Sequence, residues 1–190
     1  MSRWLLILLL ALLSGCAAMS KVGPGEVTVR DSLSVTLDDA WNQFSLGATA
    51  KTETWTIDGL PLDRLVFYVG IADGEALGEM SQRKDRQIPK YRTTMQAHEI
   101  VEMYEVFATS DGSSFQRQKL APVPFAGRDG FRFEFSRVRK GDELEMRGIG
   151  YGAVRGSKLY LVVFEAPRSH YYARHLSRVE DVAKSVRIRN

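Results

Sequence analysis

The chain is short of reactive side chains: 190 residues hold one cysteine, three histidines and six prolines. A single cysteine, Cys16, cannot close an intramolecular disulfide, so the stability of the fold must come from its core. His98, His170 and His175, with no second thiol, leave few parts for a metal site or nucleophilic catalysis. No serine sits in a Gly-x-Ser-x-Gly elbow. Past Leu13 there is no long apolar run from which a membrane-spanning helix could be built. No internal repeat of 20–50 residues and no basic-aromatic recognition motif is visible, so no nucleic-acid partner is expected.

What is present begins with the leader. Arg3 gives it a positive start, and Trp4 to Leu13 is an unbroken apolar stretch. A bilayer-spanning helix needs about 20 apolar residues, so this stretch has the length of a signal-peptide core. It ends in Leu13-Ser14-Gly15-Cys16. These residues resemble a bacterial lipobox, the processing signal of bacterial lipoproteins. The resemblance implies cleavage before Cys16, a diacylglycerol on its thiol, and attachment to the membrane through acyl chains. Ala17, where no aspartate stands, implies by the same resemblance the outer membrane, with the domain facing the periplasm. The expected organisation is a signal peptide at 1–15, a flexible tether at 16–26 around Gly23-Pro24-Gly25, and one globular domain at 27–190.

Charge is nearly balanced overall but not along the chain. Residues 16–113 hold 9 basic and 15 acidic side chains, and residues 114–190 hold 16 and 8. Either the second half forms a basic face for an acidic partner, or its charges alternate outward along strands and pair there.

The hydrophobic pattern predicts strands over Val27 to Leu37, Lys51 to Ile57 and Leu65 to Ile71. Asp38-Asp39 suggests a short helical turn bearing Trp41 and Phe44. Residues 73–92 read as a long irregular loop. A helix is predicted from Met95 to Ala108, with Thr93 and Gln96 as a capping box. Four strands follow, over Phe115 to Val123, Asp129 to Val138, Glu143 to Val154 and Lys158 to Ala166; the short connectors make the last three a meander. Phe131, Phe133 and Phe135 alternate with polar residues, and Leu159 to Phe164 is apolar on both faces. A final amphipathic helix starts near Arg168, with a stripe at Tyr172, Leu176, Val179, Ala183 and Val186.

This order gives an α+β fold, an antiparallel sheet with flanking helices. Gly130 to Phe135, Leu159 to Ala166 and the helix ending at Ser185-Val186 resemble the Mog1/PsbP-like architecture. Trp41-Asn42, Glu53 to Gly59 and Asp73-Gly74-Glu75 resemble a proteobacterial lipoprotein family to which no function is attached.

Candidate chemistry is sparse. His98 and Glu102 share a helix face but lack the second histidine and third ligand of a zinc-peptidase helix. His170 and His175 do not share a face. Asp38-Asp39, or Asp58 with Asp63, could pair as acid and base in a glycan-cleaving cleft, or simply form turns. Gly148, Gly150 and Gly152 alternate in a strand and suggest a bend or a close approach. Trp41, Trp55, Tyr171 and Tyr172 could line a groove or fill the core. No catalytic, cofactor or metal residue is assigned. The expectation is a non-enzymatic envelope lipoprotein, anchored at Cys16, that binds another envelope component, a protein before a small ligand. The alternatives are an envelope hydrolase and a small lipid carrier, the latter requiring an apolar cavity between helix and sheet.

Overall fold

The computed structural model describes residues 19–78 and 88–189, with backbone alone at 46–48. The leader, Cys16 and the centre of the expected long loop (79–87) lie outside the described residues.

Eight strands form one sheet in the order β1-β4-β5-β6-β10-β9-β8-β7, every neighbouring pair antiparallel. They are β1 (Met19–Val22), β4 (Trp41–Thr49), β5 (Thr52–Thr56), β6 (Arg64–Ile71), β7 (Ser114–Phe125), β8 (Arg128–Val138), β9 (Glu145–Arg155) and β10 (Lys158–Pro167). A small second sheet has the order β11-β3-β2, from Arg187–Ile188, Leu33–Leu37 and Gly25–Val29. Helix α1 (Ala97–Ala108) links β6 to the far edge, and the meander β7 to β10 walks back until β10 pairs with β6. Helix α2 is Tyr171–Ser185.

Alternation along β10 sets the two cores. Leu159, Leu161 and Val163 pack under α1 with Ile100, Tyr104 and the β8 phenylalanines. Tyr160, Val162 and Phe164 face α2 and the small sheet, together with Trp41, Trp55 and Phe67. The expected central strand covered on both faces is therefore β10. The meander follows the pattern read from sequence, and the strands expected at Lys51 to Ile57 and Leu65 to Ile71 are β5 and β6, an antiparallel pair.

Four expectations are corrected. Val27 to Leu37 is a hairpin rather than one strand, reversing at Arg30 and Asp31, both with positive φ (46° and 55°). Strain of that kind in non-glycine residues needs tertiary support. Here Arg30 Nε donates to the Thr52 carbonyl at 3.0 Å and lies 3.4 Å from the Glu53 carboxylate. Trp41 belongs to a strand rather than a helical turn, because extension lets it pair with Val22 and bury against Trp55. Met19–Val22, expected within the flexible tether, is hydrogen-bonded to β4 as the edge of the main sheet. The capping box lies three residues later than read: Gln96 N–H donates to Glu99 Oε2 at 2.7 Å, while Thr93 N–H donates to Asp73.

The glycine triplet has a packing cause. Gly148, Gly150 and Gly152 stand opposite Phe135, Phe133 and Phe131 in register. A Cβ on these glycines would lie 2.1, 2.3 and 2.4 Å from the facing ring atoms. The three rings thus lie across bare backbone, where any side chain would collide with them.

Candidate binding groove

Two cavities lie beside the C-terminal half of α1, and Arg64, Phe107 and Ala108 line both. The larger, about 380 Å³, runs between α1 and the β5–β6 face. Thr52 and Thr54 line it from β5, Val66 and Tyr68 from β6, and Tyr104 from α1. The smaller, about 270 Å³, reaches Asp111, Arg137, Arg139 and Glu165.

The charges of this groove come from two strands whose apolar pattern is broken once each. Phe131, Phe133 and Phe135 are followed on the same face by Arg137, and Leu159, Leu161 and Val163 by Glu165. Both charged residues are buried, and they pair through two bonds: Arg137 Nη2 to Glu165 Oε1 at 2.7 Å and Nε to Oε2 at 3.1 Å. Arg137 Nη1 is held by the Ala108 carbonyl (3.3 Å), Ser113 Oγ (3.2 Å) and Asp111 Oδ2 (3.4 Å). The guanidinium thereby also satisfies a carbonyl at the end of α1. Burial works against ionisation of Glu165, but Arg64 and Arg137 together outweigh it and hold the carboxyl below its usual range.

Arg64 is differently placed. Its side chain is 39% exposed and touches Glu165 only through Nη2, at 3.5 Å from each oxygen. Tyr68 and Tyr104 are 5% and 4% exposed, and both rings line the larger cavity. Among the described residues, neither phenol oxygen has a protein hydrogen-bond partner, and neither is sealed in the packing. Burial, opposed by Arg64, pushes the Tyr68 phenol up to about 12, and burial pushes Tyr104 well above its ordinary value. Both are therefore neutral O–H donors at physiological pH.

The residues singled out by sequence fall elsewhere. His98 is exposed on α1, and Glu102 lies 4.0 Å from Arg117. His175 is buried, its Nε2 2.6 Å from Asp58 Oδ2, and their ligand atoms lie within 4.8 Å of those of Asp63. Asp63, however, already accepts from Thr56 Oγ1 (2.9 Å), Ile57 N–H (2.7 Å) and Asp58 N–H (2.7 Å). Its carboxylate is spent on holding the β5–β6 turn, which favours the turn-forming role over the acid/base one. Asp39 lies 3.9 Å from Arg178 at the surface. Trp41, Trp55 and Tyr172 are core residues, and Tyr171 packs at the rim. The excess basic charge of the second half is largely paired: Arg132 with Glu134 and Glu180, Arg147 with Glu134, Arg168 with Glu145. The groove itself was missed, although one arginine and one glutamate interrupting two apolar faces were signals available in the sequence.

No protein-family model and no curated protein matches the sequence. Solved structures do share its fold. The cyanobacterial PsbP (CyanoP) of Synechocystis sp. PCC 6803 superposes with a TM-score of 0.59 at 11% identity, over 93% of this chain and 96% of that one. The Ran-binding protein Mog1p of Saccharomyces cerevisiae gives 0.54 at 7% identity, over 90% and 95%. A protein of Bacteroides thetaiotaomicron gives 0.51 at 10% identity, over 89% of this chain and 50% of its own. The fold is Mog1/PsbP-like. At these identities the likeness concerns the fold alone, and function has to be argued from the site.

Proposed function

We propose that this protein is a non-enzymatic binding module of the cell envelope, anchored in the outer membrane by acyl chains on Cys16, that recognises another envelope component in the groove beside α1. The observation that supports binding over catalysis is the state of the groove's charges. Glu165 is ionised and doubly paired, Arg137 bonds through all three of its nitrogens, and the tyrosines are protonated, so none of these groups is poised to exchange a proton near neutral pH. Arg64 and the two phenols instead carry donors that no acceptor among the described residues takes up, on rigid elements, the arrangement of a recognition site.

The anchor rests on Leu13-Ser14-Gly15-Cys16. Each buried methylene of an acyl chain contributes about 0.8 kcal/mol, so two or three chains hold a protein in the bilayer, whereas one holds it only marginally. Cys16→Ser is expected to move the protein from the membrane pellet to the soluble fraction, or to leave it unprocessed with its leader attached. A variant with wild-type fractionation and wild-type mass would sink the anchor.

The binding half is tested by placing a photoreactive residue at Thr54, which lines the groove, and crosslinking in the native envelope. A discrete adduct that disappears in Arg64→Gln supports the reading. An adduct pattern indifferent to Arg64 counts against the groove as the recognition surface.

A further inference from the structure

The larger cavity has a chemically uneven lining that specifies its occupant more narrowly than a generic binding site would. Its lining includes Arg64, whose guanidinium meets Glu165 only through Nη2 at 3.5 Å from each oxygen, and the two tyrosines Tyr68 and Tyr104. Both tyrosines are more than nine-tenths buried, and among the described residues neither hydroxyl has a hydrogen-bond partner, though both oxygens stay open to solvent. A hydroxyl that opens on a cavity bonds water there, and a ligand that displaces the water must offer an acceptor in its place. Arg64 and Tyr68 stand on one face of β6, with Val66 between them, and the Tyr104 ring centroid lies 6.4 Å from that of Tyr68, so all three residues line the same cavity. Val66, Leu77 and Phe107 add apolar surface to the same lining.

A guanidinium and two neutral O–H donors lining one cavity suit an oxyanion. It would take a carboxylate or phosphate through charge-assisted hydrogen bonds, with two parallel bonds available from arginine. Glu165 does not repel such a group strongly, because Arg137 already neutralises it through two bonds. A cavity of about 380 Å³ is at the small end of ligand sites, so the occupant has a short apolar body.

We propose that the cavity between α1 and the β5–β6 face binds a small amphipathic anion, its carboxylate or phosphate held by Arg64, Tyr68 and Tyr104 and its apolar part lying against Val66, Leu77 and Phe107. The inference rests on the groove being a binding site and names the class of ligand it takes.

The test is calorimetric titration of the full chain in zwitterionic nanodiscs. The probes are octanoate and octyl phosphate; acetate and inorganic phosphate serve as heads without a tail, and octyl glucoside as a tail without charge. Saturable one-to-one binding of the two charged octyl probes is expected, and none of octyl glucoside. Arg64→Gln is expected to weaken binding roughly tenfold or more, the effect of losing a charge-assisted pair of hydrogen bonds. Tyr104→Phe removes one oxygen, keeps the ring, and is expected to weaken binding about fivefold on the same scale. Both variants are checked for wild-type thermal unfolding, and Tyr104→Phe keeps the test open should Arg64→Gln fold poorly.

Isotherms unchanged by both variants would mean partition into the disc and overturn the proposal. Equal affinity for inorganic phosphate and octyl phosphate would overturn the amphiphile and leave a free-anion site. A titration without saturable heat, alongside a Thr54 crosslink that still depends on Arg64, would overturn the ligand class while keeping the binding module. Loss of both signals would remove the module as well.

Discussion

Glu165→Gln is expected to destabilise the folded protein by about 3 kcal/mol, measured as a lower urea midpoint, because it strands Arg137 as a buried charge. Arg137 is 5% exposed, and its remaining carboxylate partner, Asp111, is half exposed and 3.4 Å away. The loss comes from breaking the pair and does not imply that the pair stabilises relative to an apolar core. Replacing both members, as Arg137→Met with Glu165→Leu, should therefore recover much of the deficit. An unchanged midpoint for Glu165→Gln would mean that water reaches Arg137 freely. The same carboxylate gives the protein an acid limb. Its folded value lies below the ordinary one, because Arg64 and Arg137 outweigh the burial that opposes ionisation. The stabilisation is then fully present above the unfolded value of about 4.3 and is lost as the pH falls through the folded value. Glu165→Gln should flatten that limb of the stability curve.

Gly150→Ala is the second large effect. Its Cβ would sit 2.3 Å from the Phe133 ring. That ring cannot swing aside, since its centroid lies 5.9 Å from that of Phe135 and 5.6 Å from that of Tyr104. Overpacking of this kind costs about 1–3 kcal/mol, and the aromatic neighbours place this site near the upper figure. Gly141→Ala, where nothing lies within 4 Å, is the control and should change stability by less than about 0.5 kcal/mol. Phe133→Leu should be costly alone but should soften the effect of Gly150→Ala, a coupling measurable in a double-mutant cycle. Additive effects would show that the ring and the glycine do not share the space.

The legible parts of this fold are those where local pattern and tertiary environment agree. Strands β7 to β10 show alternating or doubly apolar runs punctuated by Gly141 and Gly156, and both helices show a single stripe. The misread parts are those where a distant residue decides. Arg30 and Asp31 reverse the chain without glycine because Thr52 and Glu53, on another strand, secure Arg30. Asp38-Asp39 looks like a helix start, but the burial of Trp41 beneath Arg178 and beside Trp55 requires an extended chain. The groove is harder still. Arg64, Tyr68, Tyr104, Arg137 and Glu165 come from four elements spread over a hundred residues, and only the crossing of α1 from β6 to β7 brings them together. No short motif exists to be found. Only Arg137 and Glu165, charges in apolar slots, left a trace.

The pairing of β1 with β4 acquires a mechanical meaning if Cys16 is acylated as proposed. Only Ala17 and Ala18 separate the anchor from Met19, the first residue of the sheet edge. Three Cα steps at 3.8 Å span at most about 11 Å. The domain would ride against the headgroups on a leash shorter than its own width, with the β1 edge always lowermost. It could not sweep the periplasm; whatever it recognises would have to arrive at, or already lie in, the membrane surface.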